Sequence, residues 1–176
     1  RLPLVIGIGG NNTAAVVEEL KTTDLSPFAA VLSVAPYYSK PTQEGLYQHF
    51  KAVAKASSIP VILYNVPGRT SSNMSAQTTV RLAKNFGNIV AIKEASGNLD
   101  QITEILLERP ADFQVISGDD NLTFAMMALG AEGVISVSGQ GVPEVFCTMV
   151  NHLSAGQWIQ ARAAHLSIYD LTNQLF

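Results

Sequence analysis

The run "NIVAIKEASGN" (88–98) decides the fold, because it is unbroken apolar sequence until it reaches Lys93 and Glu94. A strand with one face in water alternates apolar and polar residues. Here Ile89, Val90, Ala91 and Ile92 follow one another, the pattern of a strand covered on both faces, as in a parallel sheet packed by helices. Five further runs read the same way: "LVIGIG" (4–9), "AAVLSVA" (29–35), "PVILYNV" (60–66), "QVISGDD" (114–120) and "GVISVSG" (133–139). Helical patterns separate them. In "TQEGLYQHFKAVAKAS" (42–57) Leu46, Phe50, Val53 and Ala54 form one apolar stripe, and in "NLDQITEILLERP" (98–110) Leu99, Ile102, Ile105 and Leu106 form another. Asn98 is placed to cap the second helix with Gln101 as its reciprocal partner, and Pro110 ends it.

Repeated strand–helix units allow an open doubly wound sheet or a closed (β/α)8 barrel. The units recur every ~25 residues and a full barrel takes about 250, so the expectation is six units of a TIM barrel. The chain has no linker or low-complexity stretch and reads as one domain over 1–176, beginning without Met before a strand and stopping inside a helical pattern. On that reading it lacks N-terminal strand–helix units and C-terminal helices.

Composition narrows the function. With 11 Lys and Arg against 14 Asp and Glu, the net charge of −3 gives no basic footprint for nucleic acid or an acidic membrane. Apolar runs break well before the ~20 residues of a membrane span, so a cytoplasmic protein is expected. The single Cys147, in "VPEVFCTMVNHL" (142–153), excludes a disulfide within the chain and reads as a small buried hydrophobe. "GIGGNN" (7–12) is not a dinucleotide fingerprint, since the third glycine falls at Asn12. Asp120, before "NLTFAMMAL", reads as a helix cap rather than a metal ligand. His49, His152 and His165 have no partner at ligand spacing, and no metal or cofactor is expected.

The polar residues at strand ends are the candidates for chemistry. Alternation puts Tyr64 on one face with Ile62, and Lys93 on one face with Ala91 and Ile89. If those faces point into a barrel, phenol and amine meet at the carboxyl ends of adjacent strands, where barrel enzymes keep their active sites. A lysine of ordinary pKa ~10.4 is almost wholly protonated at neutral pH, and burial at the end of an apolar strand is what frees its lone pair. Such an amine is a Schiff-base nucleophile; a lysine that reaches solvent or pairs with Glu94 is the competing reading.

The segments "APYYSKPTQEGLYQHFKAVA" (35–54), "LYNVPGRT" (63–70), "IVAIKEASGN" (89–98), "ISGDD" (116–120) and "GVISVSG" (133–139), in that order, resemble the pyruvate-dependent lyases of the dihydrodipicolinate synthase and N-acetylneuraminate lyase family. The resemblance covers essentially the whole chain and leans to the synthases. It implies a Schiff-base lyase that joins pyruvate, held on Lys93, to L-aspartate 4-semialdehyde, giving 4-hydroxy-tetrahydrodipicolinate for lysine and diaminopimelate synthesis. Pyruvate would be bound covalently as substrate, without a further cofactor. Tyr64 matches the tyrosine that relays protons, and Tyr38 the one that enters a neighbouring subunit's site, implying a homodimer or homotetramer. Gly118 and Ile135 match the pyruvate pocket, and Arg69 matches the arginine that holds the aldehyde's carboxylate. Asn11 and Tyr37 match lysine-effector contacts, although the acidic residue expected one turn later is Ala15. Nothing matches the family's "TTGE" segment with its relay threonine, so the isolated chain is expected to be inactive. The competing functions are an aldolase acting on a sugar-derived aldehyde, which Arg69 opposes, and a catalytically inert fragment.

Overall fold

The computed structural model describes residues 2–175. Six strands, β1 (Val5–Gly7), β2 (Ala30–Val34), β3 (Val61–Asn65), β4 (Ile89–Glu94), β5 (Gln114–Ser117) and β6 (Gly133–Val134), form one parallel sheet in the order β1-β2-β3-β4-β5-β6. A doubly wound sheet reverses direction partway through, whereas neighbours in space that are neighbours in sequence form the arc of a barrel. The arc is a half-barrel.

Helices α1 (Thr13–Thr22), α2 (Gln43–Ala56), α3 (Pro67–Thr70), α4 (Ala76–Asn85), α5 (Leu99–Glu108), α6 (Thr123–Leu129), α7 (Pro143–Ser154) and α8 (Trp158–Leu175) complete the described chain. Side chains set four of their starts: Asn12 accepts from the N–H groups of Ala14 and Ala15, Thr42 from Gly45, Ser75 from Thr78, and Asn98 from Asp100 and Gln101. Each cap satisfies donors that a helix leaves open, worth about 1 kcal/mol. Asn12, at the place of the missing third glycine, is thus a helix cap. The capping at Asn98 is not reciprocal, because the Gln101 amide turns inward to Glu94 and the Met74 carbonyl.

Two layers of apolar side chains explain why the strands lack alternation. On the helix side Val31, Val61, Leu63, Ile92 and Val115 pack against Leu46, Phe50, Val53, Ile102 and Ile105. Fully burying each such side chain contributes about 1.5–3 kcal/mol. On the other face Ala30, Ile62 and Ala91 cluster with Leu32, Val90 and Ile116. Ile89 departs from simple alternation. The register between β3 and β4 pairs Val61 with Ile89 and then Ile62 with Ala91, so Val90 is an extra residue and Ile89 packs with the helix-side core, not beside Lys93.

Cys147 is exposed, against expectation, because α7 turns Phe146, Met149 and Leu153 to the core and leaves 147 on the outer side. Among the described residues no helix is long and apolar enough to cross a membrane.

Candidate active site

The register pairs Tyr64 with Lys93 and Asn65 with Glu94, so two consecutive residues on each strand face opposite ways. Asn65 and Glu94 point to the helices, are fully buried, and hold each other. Asn65 Nδ2 donates to both carboxylate oxygens of Glu94 at 3.2 and 3.0 Å, the Ser96 N–H donates to Oε1 at 2.7 Å, and Gln101 Nε2 donates to Oε2 at 3.3 Å. Burial pushes the Glu94 carboxyl above its usual range while these donors pull it down. Asn65 Oδ1 also accepts from the Met74 N–H at 2.9 Å, which ties the segment after α3 to the same centre. Glu94 is therefore occupied on the far side of β4 and is no partner for the Lys93 amine.

Lys93 and Tyr64 occupy the opposite face. The Lys93 Nζ lies 4.3 Å from the centre of the Tyr64 ring, and only 8% of the lysine is exposed. Burial pulls its pKa below the ordinary lysine value, with the negative charge of Asp120 acting the other way. Burial raises the Tyr64 phenol, offset by the charge of Arg69. An amine stripped of water with no carboxylate bonded to it is a nucleophile, and the ring face beside it steadies whatever positive charge it acquires.

The two residues open into a cleft of about 440 Å³ shared with Arg69, Gly118, Asp119 and Val137. That is ample for a small oxo acid and a second small substrate. A Cβ built on Gly118 would come within 2.9 Å of the Lys93 Cγ and Cε and of the Ala95 Cβ, so glycine here is what lets the lysine stem pass. A larger groove, about 620 Å³ between α4 and α5, lies on the outside of the helices and holds no buried nucleophile.

Of the expected site residues, then, the fold brings Lys93, Tyr64, Arg69 and Gly118 together. Ile135 continues the pairing of β6, its N–H donating to the Ser117 carbonyl at 2.9 Å, and Val137 lines the cleft in its stead. Tyr38 stands outside the cleft, 89% exposed, with its backbone in the left-handed region at φ 69° and its N–H on the Thr70 carbonyl at 3.2 Å. Asn11 and Tyr37 are also exposed and outside the cleft.

Asp120 does not cap a helix. It begins a 3-10 turn (Asp120–Leu122), and its carboxylate accepts from Ser136 Oγ, the Val137 N–H and the Ser138 N–H. These partners, 16 to 18 residues away, leave no local pattern in the sequence. Among the described residues no group of three His, Cys, Asp or Glu is placed to hold a metal ion.

Known proteins resemble this chain in sequence and in fold. A 4-hydroxy-tetrahydrodipicolinate synthase from Flavobacterium psychrophilum is 58% identical over 99% of the chain and 59% of its own length. The crystal structure of dihydrodipicolinate synthase from Aquifex aeolicus superposes with a TM-score of 0.96 at 42% identity, over 99% of this chain and 60% of that one. The chloride-inhibited dihydrodipicolinate synthase from Acinetobacter baumannii, solved in complex with pyruvate, gives a TM-score of 0.94 at 41% identity, over 100% of this chain and 60% of that one. This chain thus spans about 59% of the length of the curated relative. The model of the dihydrodipicolinate synthetase family matches residues 1–176, and the chain belongs to that family.

Proposed function

We propose that the full-length protein carrying this chain condenses pyruvate with L-aspartate 4-semialdehyde to 4-hydroxy-tetrahydrodipicolinate, through an imine on Lys93. The observation that carries the reading is a buried amine, free of any bonded carboxylate, at the wall of a cleft that Arg69 also lines. The neutral Nζ attacks C2 of pyruvate, the carbonyl electron pair moves to oxygen and takes up a proton, and loss of water leaves a C=N bond with one positive charge on nitrogen. Loss of a C3 proton gives the enamine. Its C3 attacks the aldehyde carbon, whose oxygen is protonated, and the amine of the second substrate then closes on C2 and expels Lys93.

Tyr64 is the proton carrier for carbinolamine formation and collapse, and its raised pKa keeps the phenol protonated until a base approaches. The Gly118 carbonyl belongs to the pyruvate pocket; Ile135, off the cleft lining, reaches that pocket only through its backbone bond to Ser117, the neighbour of Gly118. Arg69 offers a planar fork to the carboxylate of the semialdehyde. Tyr38 completes a neighbour's proton relay, so the active form is at least a dimer. Asn11 and Tyr37 are the residues a lysine effector would touch, without a carboxylate at Ala15 to receive its ammonium.

Borohydride reduction in the presence of pyruvate tests the chemistry. The expected result is one adduct, mapped by peptide mass to Lys93. Mass on another lysine, or on none, overturns the imine.

A further inference from the structure

The scheme above leaves idle a buried acid beside the cleft. Asp120 lies two residues after Gly118 and is 2% exposed. Its Oδ2 takes hydrogen bonds from Ser136 Oγ at 3.0 Å, the Val137 N–H at 3.0 Å and the Ser138 N–H at 2.6 Å. Val137 lines the cleft, so this one oxygen ties a wall of the cleft to the end of β5. The other oxygen, Oδ1, is buried with no hydrogen-bond partner among the described residues. A carboxyl group that served only to fasten a loop would not need it, since one amide oxygen accepts the same bonds.

We infer that Asp120 is a positioning residue for the imine chemistry: it fastens residues 136–138 as a wall of the cleft and, through its unpartnered oxygen, supplies the counter-charge for the Lys93 iminium. The inference rests on the imine reading. When water leaves the carbinolamine, a fixed positive charge remains on the nitrogen of a lysine that is only 8% exposed, and a buried anion lowers its energy there more than in water. The charge of Asp120 acts on Lys93 already in the free protein, where it offsets part of the effect of burial.

The other charged or titratable groups near Lys93 are Tyr64 on β3, Arg69 on α3 and Asp119 after β5. Glu94 faces away on β4, and the paired residues of β5 bear no charge. Against the Asp120 turn, α6 and α8 bring the uncharged Thr123, Thr172 and Asn173, with Asp170 exposed on α8 and His165 stacked on Phe124. Among these groups Asp120 combines negative charge with nearly complete burial.

The test is Asp120→Asn in the full-length protein, with imine formation from pyruvate followed against pH. Asparagine keeps an oxygen for the Val137 and Ser138 N–H groups and removes the charge. Losing an anion disfavours ammonium and iminium alike. The acid limb of the profile is therefore expected to move about one unit to lower pH, and the adduct to weaken about tenfold, with the melting temperature little changed. A folded Asp120→Asn protein with an unmoved acid limb overturns the inference. Should the variant not fold, the wild type answers the question with glyoxylate, which has no C3 proton to lose and stops at the imine. Nitrogen-15 spectra of lysine-labelled protein are expected to read a protonated imine to above about pH 8, and loss of that proton below about pH 7 overturns the counter-charge. Failure of wild-type protein to be trapped by pyruvate and borohydride is a separate result, which withdraws the imine reading and this inference with it.

Discussion

At Gly118 a single absent atom governs whether Lys93 reaches the cleft. Gly118→Ala puts a methyl 2.9 Å from two carbons of the lysine stem and from Ala95, whose Cβ cannot swing aside. A displacement of about 1 Å at a reacting atom costs on the order of 100-fold, so imine formation with pyruvate is expected to slow by about that factor. Rapid-quench borohydride trapping reads it, and a rate within threefold of wild type would show that the stem has room to spare. In the proposed function Arg69 acts at the other substrate. In Arg69→Ala the loss of a charged, two-pronged contact, about 1.5–3 kcal/mol, is expected to lower kcat/KM for the semialdehyde roughly 10- to 100-fold while pyruvate trapping persists. Steady-state kinetics with both substrates varied checks this; an unchanged response to semialdehyde, or better turnover with N-acetylmannosamine, favours a sugar-aldehyde enzyme. That Lys93 and Tyr64 would meet was legible in the sequence because each lies at the end of a recognisable strand, whereas Arg69 was singled out only by the family resemblance. The need for glycine at 118 and the grip of Asp120 were not legible, because both depend on contacts between distant segments.

Among the elements, β3 and β4 illustrate what apolar patterning does and does not carry. The unbroken run 89–92 marks a strand buried on both sides. It gives no sign of the extra residue at Val90, because an inserted apolar residue leaves an apolar run looking the same. Helices α1 and α2 meet through a buried histidine of equally quiet sequence. His49, 3% exposed, shares a hydrogen bond of 2.8 Å between its Nδ1 and Thr13 Oγ1, its Nε2 has no partner among the described residues, and burial lowers its pKa from 6.5 to about 4. The folded protein keeps the ring neutral in a range where the unfolded chain takes up a proton. Stability is therefore fully present above about pH 6.5 and falls as pH drops toward 4, by up to about 3 kcal/mol. Urea midpoints of the full-length protein and of His49→Gln at about pH 7 and pH 4.5 measure the effect. The variant is expected to lose less stability on acidification, and equal losses would place the acid sensitivity elsewhere.

For the whole molecule, the exposed Tyr38 carries the question of assembly. Its left-handed backbone costs a non-glycine residue about 1 kcal/mol, and its N–H is anchored to the carbonyl next to Arg69. A residue held in strain and presented to solvent suits a partner's surface better than its own cleft. If it completes a neighbour's site, mixing inactive Tyr38→Phe subunits with inactive Lys93→Ala subunits restores activity, to about a quarter of wild type for random dimers. No recovery after demonstrated subunit exchange would assign Tyr38 to its own chain. The sequential strand order has a further consequence, for synthesis on the ribosome. Each strand from β2 onward docks on the one made just before it, so the sheet can lengthen behind the exit tunnel without waiting for distant sequence. Lys93 gains its neighbour on one side before it emerges and on the other once residue 117 has emerged, some twenty residues before Val137 can be fastened to Asp120. During that interval a nascent chain holds the Lys93 strand in place with one wall of its cleft still unmade.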